Sequence, residues 1–310
     1  MLPRFQVACP RSIAEVQEAL SRIEGEVAFI SGGTDLVIQL HSGQIRPAWL
    51  IDLSQIEELN YIKAAEGRLK IGSGTTFAEI SQSTLIWEKA RCLGQAAAHV
   101  GSAQIRNRAT LGGNIAKASA AGDSLPTLLA LEAWVSILGQ QGLRRVSFAQ
   151  LQAGNGAGLL AEELITEIDV PLWEALTETQ IVSGFAKLGS RTSVTIARLN
   201  MAARVEIDME NRRIKDVRWA VGALGQTPFR LEALEVELRG KRVNQALEQV
   251  IADHLRDAVD RAIPGRYSQE YKRQAIQGLG YDLLEDLFPE QLVTHPGREE
   301  QARIENTVGE

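Results

Sequence analysis

The sequence has very few of the residues that bind metals or form disulfides. Its 310 residues include 2 cysteines, Cys9 and Cys92, and 4 histidines, and none has the spacing of a zinc site or an HExxH motif. Two thiols cannot hold an iron–sulfur cluster with four cysteine ligands. We therefore expect both thiols to be reduced and mostly buried, and we predict no metal site.

Long apolar runs and an excess of positive charge are also absent. No segment approaches the ~20 continuous apolar residues that a membrane-spanning helix needs. The first ten residues mix Arg4 and Gln6 with apolar residues, unlike a signal peptide, so a cytoplasmic location is expected. The formal net charge of -6 gives no general attraction to a phosphate backbone, and nucleic-acid binding is therefore not expected.

Three common functional motifs are missing as well. The sequence contains no GxGxxG dinucleotide fingerprint in its glycine loops, no GxxxxGK[ST] phosphate loop and no GxSxG nucleophile elbow. A Rossmann domain, a P-loop domain and an α/β-hydrolase are therefore not indicated. The apolar fraction of 45% and the length are sufficient for two or three domains with substantial cores.

The N-terminal half alternates short apolar strands with helices. Ser12 and Glu15 have the spacing of a capping box, and the apolar residues from Ile13 to Ile23 recur at helical spacing. This alternation is typical of an α/β arrangement. The elements predicted after the first helix are strands at 27–30, 49–53, 69–72 and 134–138, a helix over 87–100 and a helix starting near Asp123.

The C-terminal part has a different pattern, because strands come first and helices follow. Three alternating strands are predicted at 182–188, 199–207 and 214–221, and two helices at 244–263 and 268–287. A run of strands followed by helices predicts a separate α+β domain. The polar, charged residues that follow the last helix are predicted to be flexible or to lie on a partner.

Two loops with paired glycines are the strongest indication of a binding site. The first is Ser31 to Asp35, directly after an apolar strand, and the second is Thr110 to Asn114. Adjacent glycines permit positive φ and let consecutive N–H groups converge on an anion such as pyrophosphate. Either loop alone is also typical of a plain turn between a strand and a helix. Together they predict a diphosphate held between two subdomains.

Several residues near these loops have an ordinary structural interpretation beside a functional one. Asp35 is placed to cap the turn that follows it, and Asp123 is either a helix N-cap or an acceptor for a ribose or ribityl hydroxyl. Lys187, on an alternating strand, has the ordinary interpretation of an exposed surface lysine. Arg106 and Arg108 are interpreted as a solvated or inter-domain pair.

The residues of both loops carry a resemblance to a known family. The segments Ser31 to Leu53 and Ser102 to Ala133 resemble the FAD-binding subunits of molybdenum hydroxylases, which include xanthine dehydrogenase and aerobic carbon monoxide dehydrogenase. Phe185 to Asn200 resembles the start of the family's C-terminal domain, and Tyr267 to Arg273 resembles its final helix. The run Val37 to His41 is most similar to bacterial xanthine dehydrogenase flavin subunits.

The resemblance implies an α+β fold with an α/β-like N-terminal part. It further implies that the N-terminal part has the two-subdomain FAD-binding fold of the vanillyl-alcohol oxidase type and that an α+β domain follows. The implied division is residues 1–60 and 61–175 for the two FAD-binding subdomains, 178–287 for the C-terminal domain and 288–310 for a flexible tail.

The resemblance also implies that FAD is the cofactor and that this chain contributes no catalytic residue or metal ligand. Some relatives place an aromatic residue against the flavin ring at the position of Val100, where this chain has valine. Asp123 is implied to contact the ribityl chain, and Ile165 and Lys187 to flank the ring end. The remaining implied contacts come from the two loops and are Phe29, Ile30, Ser31, Gly32, Gly33, Thr34, Asp35, Leu36, Thr110, Gly112, Gly113 and Asn114.

In complexes of this family electrons pass from a molybdenum centre through [2Fe–2S] clusters to FAD, and then to NAD+ or another acceptor. The implied partners are a molybdopterin-binding large subunit and a [2Fe–2S] small subunit, because this chain lacks the ligands for either group. The complex is implied to be xanthine dehydrogenase-like, with a carbon monoxide or aromatic N-heterocycle dehydrogenase as an alternative. The fold would also suit a standalone flavin oxidase, which often has a covalently linked flavin, or a protein that kept the fold without FAD.

Overall fold

The computed structural model describes residues 5–139, 141–154, 158–160, 162–173, 178–191 and 194–289. The described strands form three sheets, of three, five and four strands, and the buried apolar residues form three clusters. The predicted flexible tail lies outside the described residues from residue 290 onward. Phe288, at the start of that predicted tail, is instead buried in the C-terminal cluster.

The first sheet is parallel, with the order β1-β3-β2. Ser12 caps the first helix as predicted, because its hydroxyl accepts from the N–H of Glu15 at 3.1 Å. The capping box is only half correct, since the Glu15 carboxylate accepts from the N–H of Arg11 and not from that of Ser12. The elements are β1 (Gln6–Ala8), α1 (Ile13–Arg22), β2 (Val27–Ile30), α2 (Leu36–Ser42) and β3 (Trp49–Asp52).

The second sheet is antiparallel throughout, which corrects the α/β pattern expected for this region. Its order is β4-β5-β8-β6-β7, and the six helices α3 to α8 all lie between β5 and β6 instead of linking successive parallel strands. The elements are β4 (Ile62–Ala65), β5 (Arg68–Gly72), α3 (Phe77–Gln82), α4 (Thr84–Lys89), α5 (Arg91–His99), α6 (Ala103–Arg106), α7 (Leu111–Lys117), α8 (Ser124–Ala130), β6 (Trp134–Gly139), β7 (Gly142–Ser147), α9 (Phe148–Ala153) and β8 (Leu164–Pro171).

The helix predicted over 87–100 is two helices, α4 and α5, that meet at Ala90. The backbone of Ala90 leaves the helical region at φ -147° and ψ 51°, and its N–H closes α4 by donating to the carbonyl of Ile86 at 2.8 Å. Composition alone does not reveal this break, because alanine is the best helix former.

The third sheet is antiparallel, with the order β12-β11-β10-β9, and the two predicted C-terminal helices cover one of its faces. Alternate residues of β10 point to opposite faces, so Met201 and Ala203 pack in the C-terminal cluster while Ala202 packs against the second sheet's cluster. The elements are β9 (Thr179–Leu188), β10 (Leu199–Asp208), β11 (Arg213–Gly222), β12 (Phe229–Arg230), α10 (Glu232–Leu238), α11 (Ala246–Ala262) and α12 (Gln269–Leu287).

A network of hydrogen bonds and an ion pair attaches α5 to the third sheet and its covering helix α12. The guanidinium of Arg91 donates to both carboxylate oxygens of Asp286 on α12, at 2.6 and 2.7 Å. The N–H of Cys92 donates to the hydroxyl of Ser183, and the N–H of Phe185 donates to the amide oxygen of Gln95. These contacts bring the C-terminal end of α5 beside the C-terminal end of β9.

Candidate functional site

The first glycine loop, Ser31 to Asp35, leaves its backbone donors free. Within the described residues, the N–H groups of Ser31 to Asp35 donate to no protein acceptor. Gly33 has φ +71°, a left-handed conformation that favours glycine. The expected cap by Asp35 is wrong, because its side chain makes no capping hydrogen bond. The loop therefore presents a row of unpaired donors, the feature that binds anions in backbone nests.

Gly32 is required by the approach of another chain segment. A Cβ atom at this position would lie 1.9 Å from the carbonyl oxygen of Arg108 and 2.5 Å from its carbonyl carbon. The first glycine loop thus touches the backbone just before the second glycine loop. Arg108 makes this contact through its main chain, whereas the sequence interpretation of Arg106 and Arg108, a solvated or inter-domain pair, concerned only the side chains.

In the second glycine loop, Thr110 to Asn114, backbone N–H groups donate hydrogen bonds to acceptors within the protein. The N–H groups of Leu111 to Asn114 all have protein acceptors, which lie on Ser73, Thr75 and Thr110 at 2.9–3.2 Å. The expectation that this loop repeats the chemistry of the first is therefore wrong. A Cβ atom on Gly112 would lie 2.6 Å from Cβ of Ser73, so this glycine permits close packing against the second sheet.

A cleft between the loops consists of two adjoining cavities, of about 410 and 330 Å³. They share six wall residues: Phe29, Ser31, Leu36, Thr110, Gly113 and Ala116. The second cavity also contains two other predicted residues, Gly112 and Ile165. The predicted residues in the wall of the first are Phe29, Ile30, Ser31, Gly32, Gly33, Thr34, Asp35, Leu36, Thr110, Gly113 and Asn114.

Asp123 and Lys187 form a buried ion pair beside this cleft. The ammonium of Lys187 donates to the Asp123 carboxylate at 2.5 Å and to the carbonyl of His99 at 3.0 Å. Both side chains are only 6% exposed, so the interpretation of Lys187 as a surface lysine is wrong. Asp123 does occupy the N-cap position of α8, as one interpretation predicted, but its side chain makes no capping hydrogen bond there.

Burial raises the pKa of Asp123, and the Lys187 ammonium and the Asn200 amide oppose that rise. The amide of Asn200 donates to the second carboxylate oxygen of Asp123 at 3.0 Å. Each carboxylate oxygen of Asp123 thus has a donor, and the ammonium is held at one position by two acceptors.

Asn114 connects the cleft to this buried pair. The hydroxyl of Ser124, next to Asp123, donates to the Asn114 amide oxygen at 2.7 Å.

Val100 packs partly buried against the second sheet's cluster, and its carbonyl accepts from Arg106 at 3.2 Å. Arg106 is therefore engaged in closing its own loop. Val100, Asp123 and Lys187 line neither cavity of the cleft.

Three residues of this region escaped the sequence analysis. Asn200 is 1% exposed and stands among apolar residues on β10, and a lone amide in a buried strand was the available signal. Lys117 and Gln39 line the first cavity. Lys117 follows Asn114 by three residues on α7, and Gln39 follows Leu36 by three on α2, which is the spacing of one helix face.

No group of three or more histidine, cysteine, aspartate or glutamate residues in the described ranges is arranged to hold a metal ion. None of the described helices is long and apolar enough to cross a membrane.

Comparison with known proteins gives matches along most of the chain. The family described as the FAD binding domain in molybdopterin dehydrogenase matches residues 3–173, and the CO dehydrogenase flavoprotein C-terminal domain matches residues 185–287. The chain is 30% identical over 292 residues to the nicotinate dehydrogenase FAD-subunit of Eubacterium barkeri, covering 92% of this chain and 96% of the relative. It is 30% identical over 278 residues to the xanthine dehydrogenase FAD-binding subunit of Escherichia coli O157:H7, covering 88% and 93%.

The fold matches solved structures as well. A chain of the carbon monoxide dehydrogenase of Hydrogenophaga pseudoflava superposes with a TM-score of 0.81 at 25% identity, covering 93% of this chain and 99% of that one. The protein therefore belongs to the family of FAD-binding subunits of molybdenum hydroxylases, as its glycine loops indicated. It is a flavoprotein subunit of an oxidoreductase, and its cofactor is FAD.

Proposed function

We propose that FAD binds in the cleft with its pyrophosphate against the first glycine loop. The unpaired N–H groups of Ser31 to Asp35 support this placement most directly, because a row of donors in a concave wall is stabilised when an anionic ligand accepts from them. Thr34, whose hydroxyl also has no hydrogen-bond partner among the described residues, lines the same cavity. Lys117, in the same wall, adds a positive charge.

The second glycine loop has a different task in this proposal. Its backbone is bonded to the second sheet, so it contributes the Thr110 and Asn114 side chains to the opposite wall of the cleft. Asn114 in turn contacts Ser124, which leads to the buried pair of Asp123 and Lys187. We assign the ribityl chain and the ring end of FAD to the path from Asn114 towards this pair, with Ile165 beside it.

FAD supplies the ability to accept and release electrons singly or in pairs. Lys187 would hold a positive charge at the ring end, because Asp123 and the His99 carbonyl keep its ammonium in one position. Val100 would pack against the ring end without stacking, since valine has no flat ring. No residue of this chain is assigned a catalytic role.

We further propose that the chain receives electrons from the [2Fe–2S] clusters of a small subunit, in a complex with a molybdopterin-binding large subunit, and passes them to NAD+ or another acceptor. Its 2 cysteines are too few for a [2Fe–2S] cluster, which binds four. The relatives named for nicotinate and xanthine differ in substrate, so we assign the choice of substrate to the large subunit. A reducing compartment, the cytoplasm, suits the two free thiols.

The three sheets suggest three folding units. We propose that residues 1–60 and 61–175 are the FAD-binding subdomains and that 178–287 is the C-terminal domain, with one sheet in each. Limited proteolysis with mass spectrometry tests this division. Cleavage concentrated near the two proposed boundaries supports it, and cleavage mainly within the sheets contradicts it.

The central experiment is purification of the chain after expression with ample FAD. We expect a yellow protein that releases FAD on denaturation and that copurifies with an iron–sulfur and a molybdenum subunit when the neighbouring genes are coexpressed. A colourless protein that takes up no FAD would contradict the placement. FAD binding without any partner, together with turnover of a substrate by the isolated chain, would favour the standalone oxidase.

The electron acceptor needs a separate measurement on the assembled complex. After anaerobic reduction by substrate, addition of NAD+ should restore the absorbance of oxidised flavin and produce NADH. Reoxidation by oxygen or a dye but not by NAD+ would assign another acceptor.

A further inference from the structure

Helix α8 lies against the third sheet and begins beside the proposed ring end of FAD. It is buried along its whole length, and it packs in the same apolar cluster as Ala202 of β10 and Ala220 of β11. Apolar contact is not directional, so packing on two alanines defines the position of a helix along a strand only weakly. Polar groups at the two ends of α8 define this position instead.

Each end of α8 carries an acidic residue that is bound to the third sheet. At the N-terminal end, the two carboxylate oxygens of Asp123 accept from Lys187 on β9 at 2.5 Å and from Asn200 on β10 at 3.0 Å. Glu132 lies two residues after the C-terminal end of α8. Its carboxylate accepts from the guanidinium of Arg218 on β11 at 2.8 Å.

The residues that Glu132 contacts form an arginine cluster, which contains Arg204 of β10, Arg218 of β11 and Arg230 of β12. The guanidinium nitrogens of Arg204 and Arg230 lie 3.7 and 3.6 Å from the Glu132 carboxylate. Arg204 is 2% exposed, and its guanidinium carbon also lies 4.2 Å from the centre of the Trp173 ring. One carboxylate after α8 therefore reaches three neighbouring strands.

The distance between the two ends of α8 matches the distance between their partners in the sheet. Glu132 follows Asp123 by nine residues, which is about 13 Å along a helix. Arg204 follows Asn200 by four residues, which is about 13 Å along a strand, and Arg218 stands opposite Arg204 in the register. A movement of α8 along β10 would therefore lengthen the polar contacts at both ends together.

The backbone at Glu132 is unfavourable for this residue type. Its φ of +48° lies in the left-handed region, where glycine is the usual residue after a helix. Asp216 also accepts from Arg204 and Arg218, so these arginines have a counter-charge without Glu132. A strained residue persists where its contacts compensate for the strain, and the contact that Glu132 adds is the attachment of α8.

We propose that Glu132 is a positioning residue for the flavin, because its contact with the arginine cluster fixes α8 along β10 and thereby holds the Asp123 carboxylate against Lys187. This role rests on the proposed function, which places the flavin ring beside that pair. Lys187 brings a positive charge to the ring end, and Asp123 offsets it to an extent that depends on their separation. A group gains electrons more readily in more positive surroundings, so the separation within the pair sets the midpoint potential of bound FAD.

The first test is a double-mutant cycle on the unfolding free energy of the full chain without FAD, with Glu132→Gly and Asp123→Asn. Glycine suits the left-handed backbone, so Glu132→Gly removes the carboxylate with little other disturbance of the fold. Residues about 13 Å apart normally contribute to stability independently. We expect Glu132→Gly to lower the unfolding free energy less in the Asp123→Asn background than in the wild type. Equal losses in the two backgrounds would overturn the proposal.

The second test is the midpoint potential of FAD bound to the same four proteins. Asp123→Asn should raise the potential because it removes negative charge beside the ring, and Glu132→Gly should raise it by a smaller amount. In the Asp123→Asn background, Glu132→Gly should cause no further shift, because the carboxylate that it positions is gone. A shift that persists there would mean that Glu132 acts by its own charge, and an unchanged potential in Glu132→Gly would mean a purely structural role. Either result would overturn the proposal.

The matched control is Glu235→Gln, which removes another acid bound to the arginine cluster. Glu235 is 1% exposed and accepts from Arg230 and from the N–H of Trp219, which both lie in the third sheet. This variant should lose stability without a shift of the potential, and a shift as large as that of Glu132→Gly would contradict the role of α8. If Asp123→Asn left the potential unchanged while the first cycle showed coupling, the placement of FAD would be wrong and the link through α8 would stand.

Discussion

In the first glycine loop, Ser31 to Asp35, the backbone N–H groups have no protein acceptor among the described residues, whereas in the second loop those of Leu111 to Asn114 all have one. The two loops share a Gly-Gly pair with a polar residue directly after it, and in sequence they look similar. Their difference shows that paired glycines indicate close backbone approach, and that only the pairing of the amides distinguishes a ligand site from a packing contact.

The glycines of the two loops are required for different structural reasons. Gly32 and Gly112 are needed because a side chain would collide with Arg108 and Ser73, respectively, while Gly33 has a positive φ. Gly113 has only the Thr110 hydroxyl near it, at 3.0 Å from an added Cβ. Substitutions in the first loop should therefore change FAD binding, and substitutions in the second should change mainly the stability of the fold.

The largest effect is expected for Gly32→Ala. The added methyl group would overlap the Arg108 carbonyl, so the loops must separate, and overpacking of about 3 kcal/mol corresponds to a roughly hundredfold weaker binding of FAD. Fluorescence titration of the apoprotein with FAD measures it. The control is Gly278→Ala on α12, where nothing lies within 4 Å and FAD affinity should be unchanged. Wild-type affinity in Gly32→Ala would refute the close approach of the loops.

A smaller and different effect is expected for Gly112→Ala. The methyl group would press on Ser73 in the second sheet and lower the free energy of unfolding by about 1–3 kcal/mol. Urea unfolding of the apoprotein measures this change. FAD affinity at a temperature where the variant is fully folded should change less than it does in Gly32→Ala. If stability stayed the same while FAD was lost, the second loop would be a ligand loop like the first.

The buried pair of Asp123 and Lys187, which we propose lies at the ring end of FAD, extends the comparison, because its polar groups are paired within the protein like those of the second loop. Asn200→Ala removes the donor to one oxygen of Asp123 and should lower the free energy of unfolding by about 2 kcal/mol. The folded-state pKa of Asp123 is already raised, so the native protein binds this proton more readily than the unfolded chain does. Its contribution to stability is therefore lost as pH rises through that pKa.

In Asn200→Ala the pKa of Asp123 should rise further, and the loss of stability should extend to higher pH. Urea unfolding of both proteins from about pH 4 to about pH 7 tests this sign. Parallel stability curves for the two proteins would show that Asn200 does not act through Asp123.

The smallest effects are expected for a pair of threonines. Thr110→Val removes the hydroxyl that accepts from the Gly113 N–H and should cost about 1 kcal/mol of unfolding free energy. Thr34→Val removes a hydroxyl that has no partner in the described part of the chain, and should weaken FAD binding by about 1 kcal/mol with little effect on stability. Valine has nearly the same shape as threonine, so each variant is the control for the other. If Thr110→Val instead weakened FAD binding and Thr34→Val instead lowered the unfolding free energy, the roles assigned to the two loops would have to be exchanged.

Much of the fold could be predicted from local patterns in the sequence. The three long strands and two final helices of the C-terminal part were located to within a few residues, because alternation and helical periodicity are properties of neighbouring residues. The antiparallel order of the second sheet was not foreseen, since it depends on which distant strands pair. The break at Ala90 was missed for a similar reason: α5 restarts where Arg91 and Gln95 reach Asp286, far away in sequence.

The sequence by itself indicated the two glycine loops and, through the resemblance that they carry, the family and FAD as the cofactor, because a family's motifs are short runs of residues that can be recognised without knowing their distant contacts. Only the tertiary structure decided which loop keeps its amides free, and that Lys187 is buried against Asp123, 64 residues away, instead of lying on the surface. Hydrogen-bond pairing and burial are relations between distant segments, and a residue's own identity does not specify them.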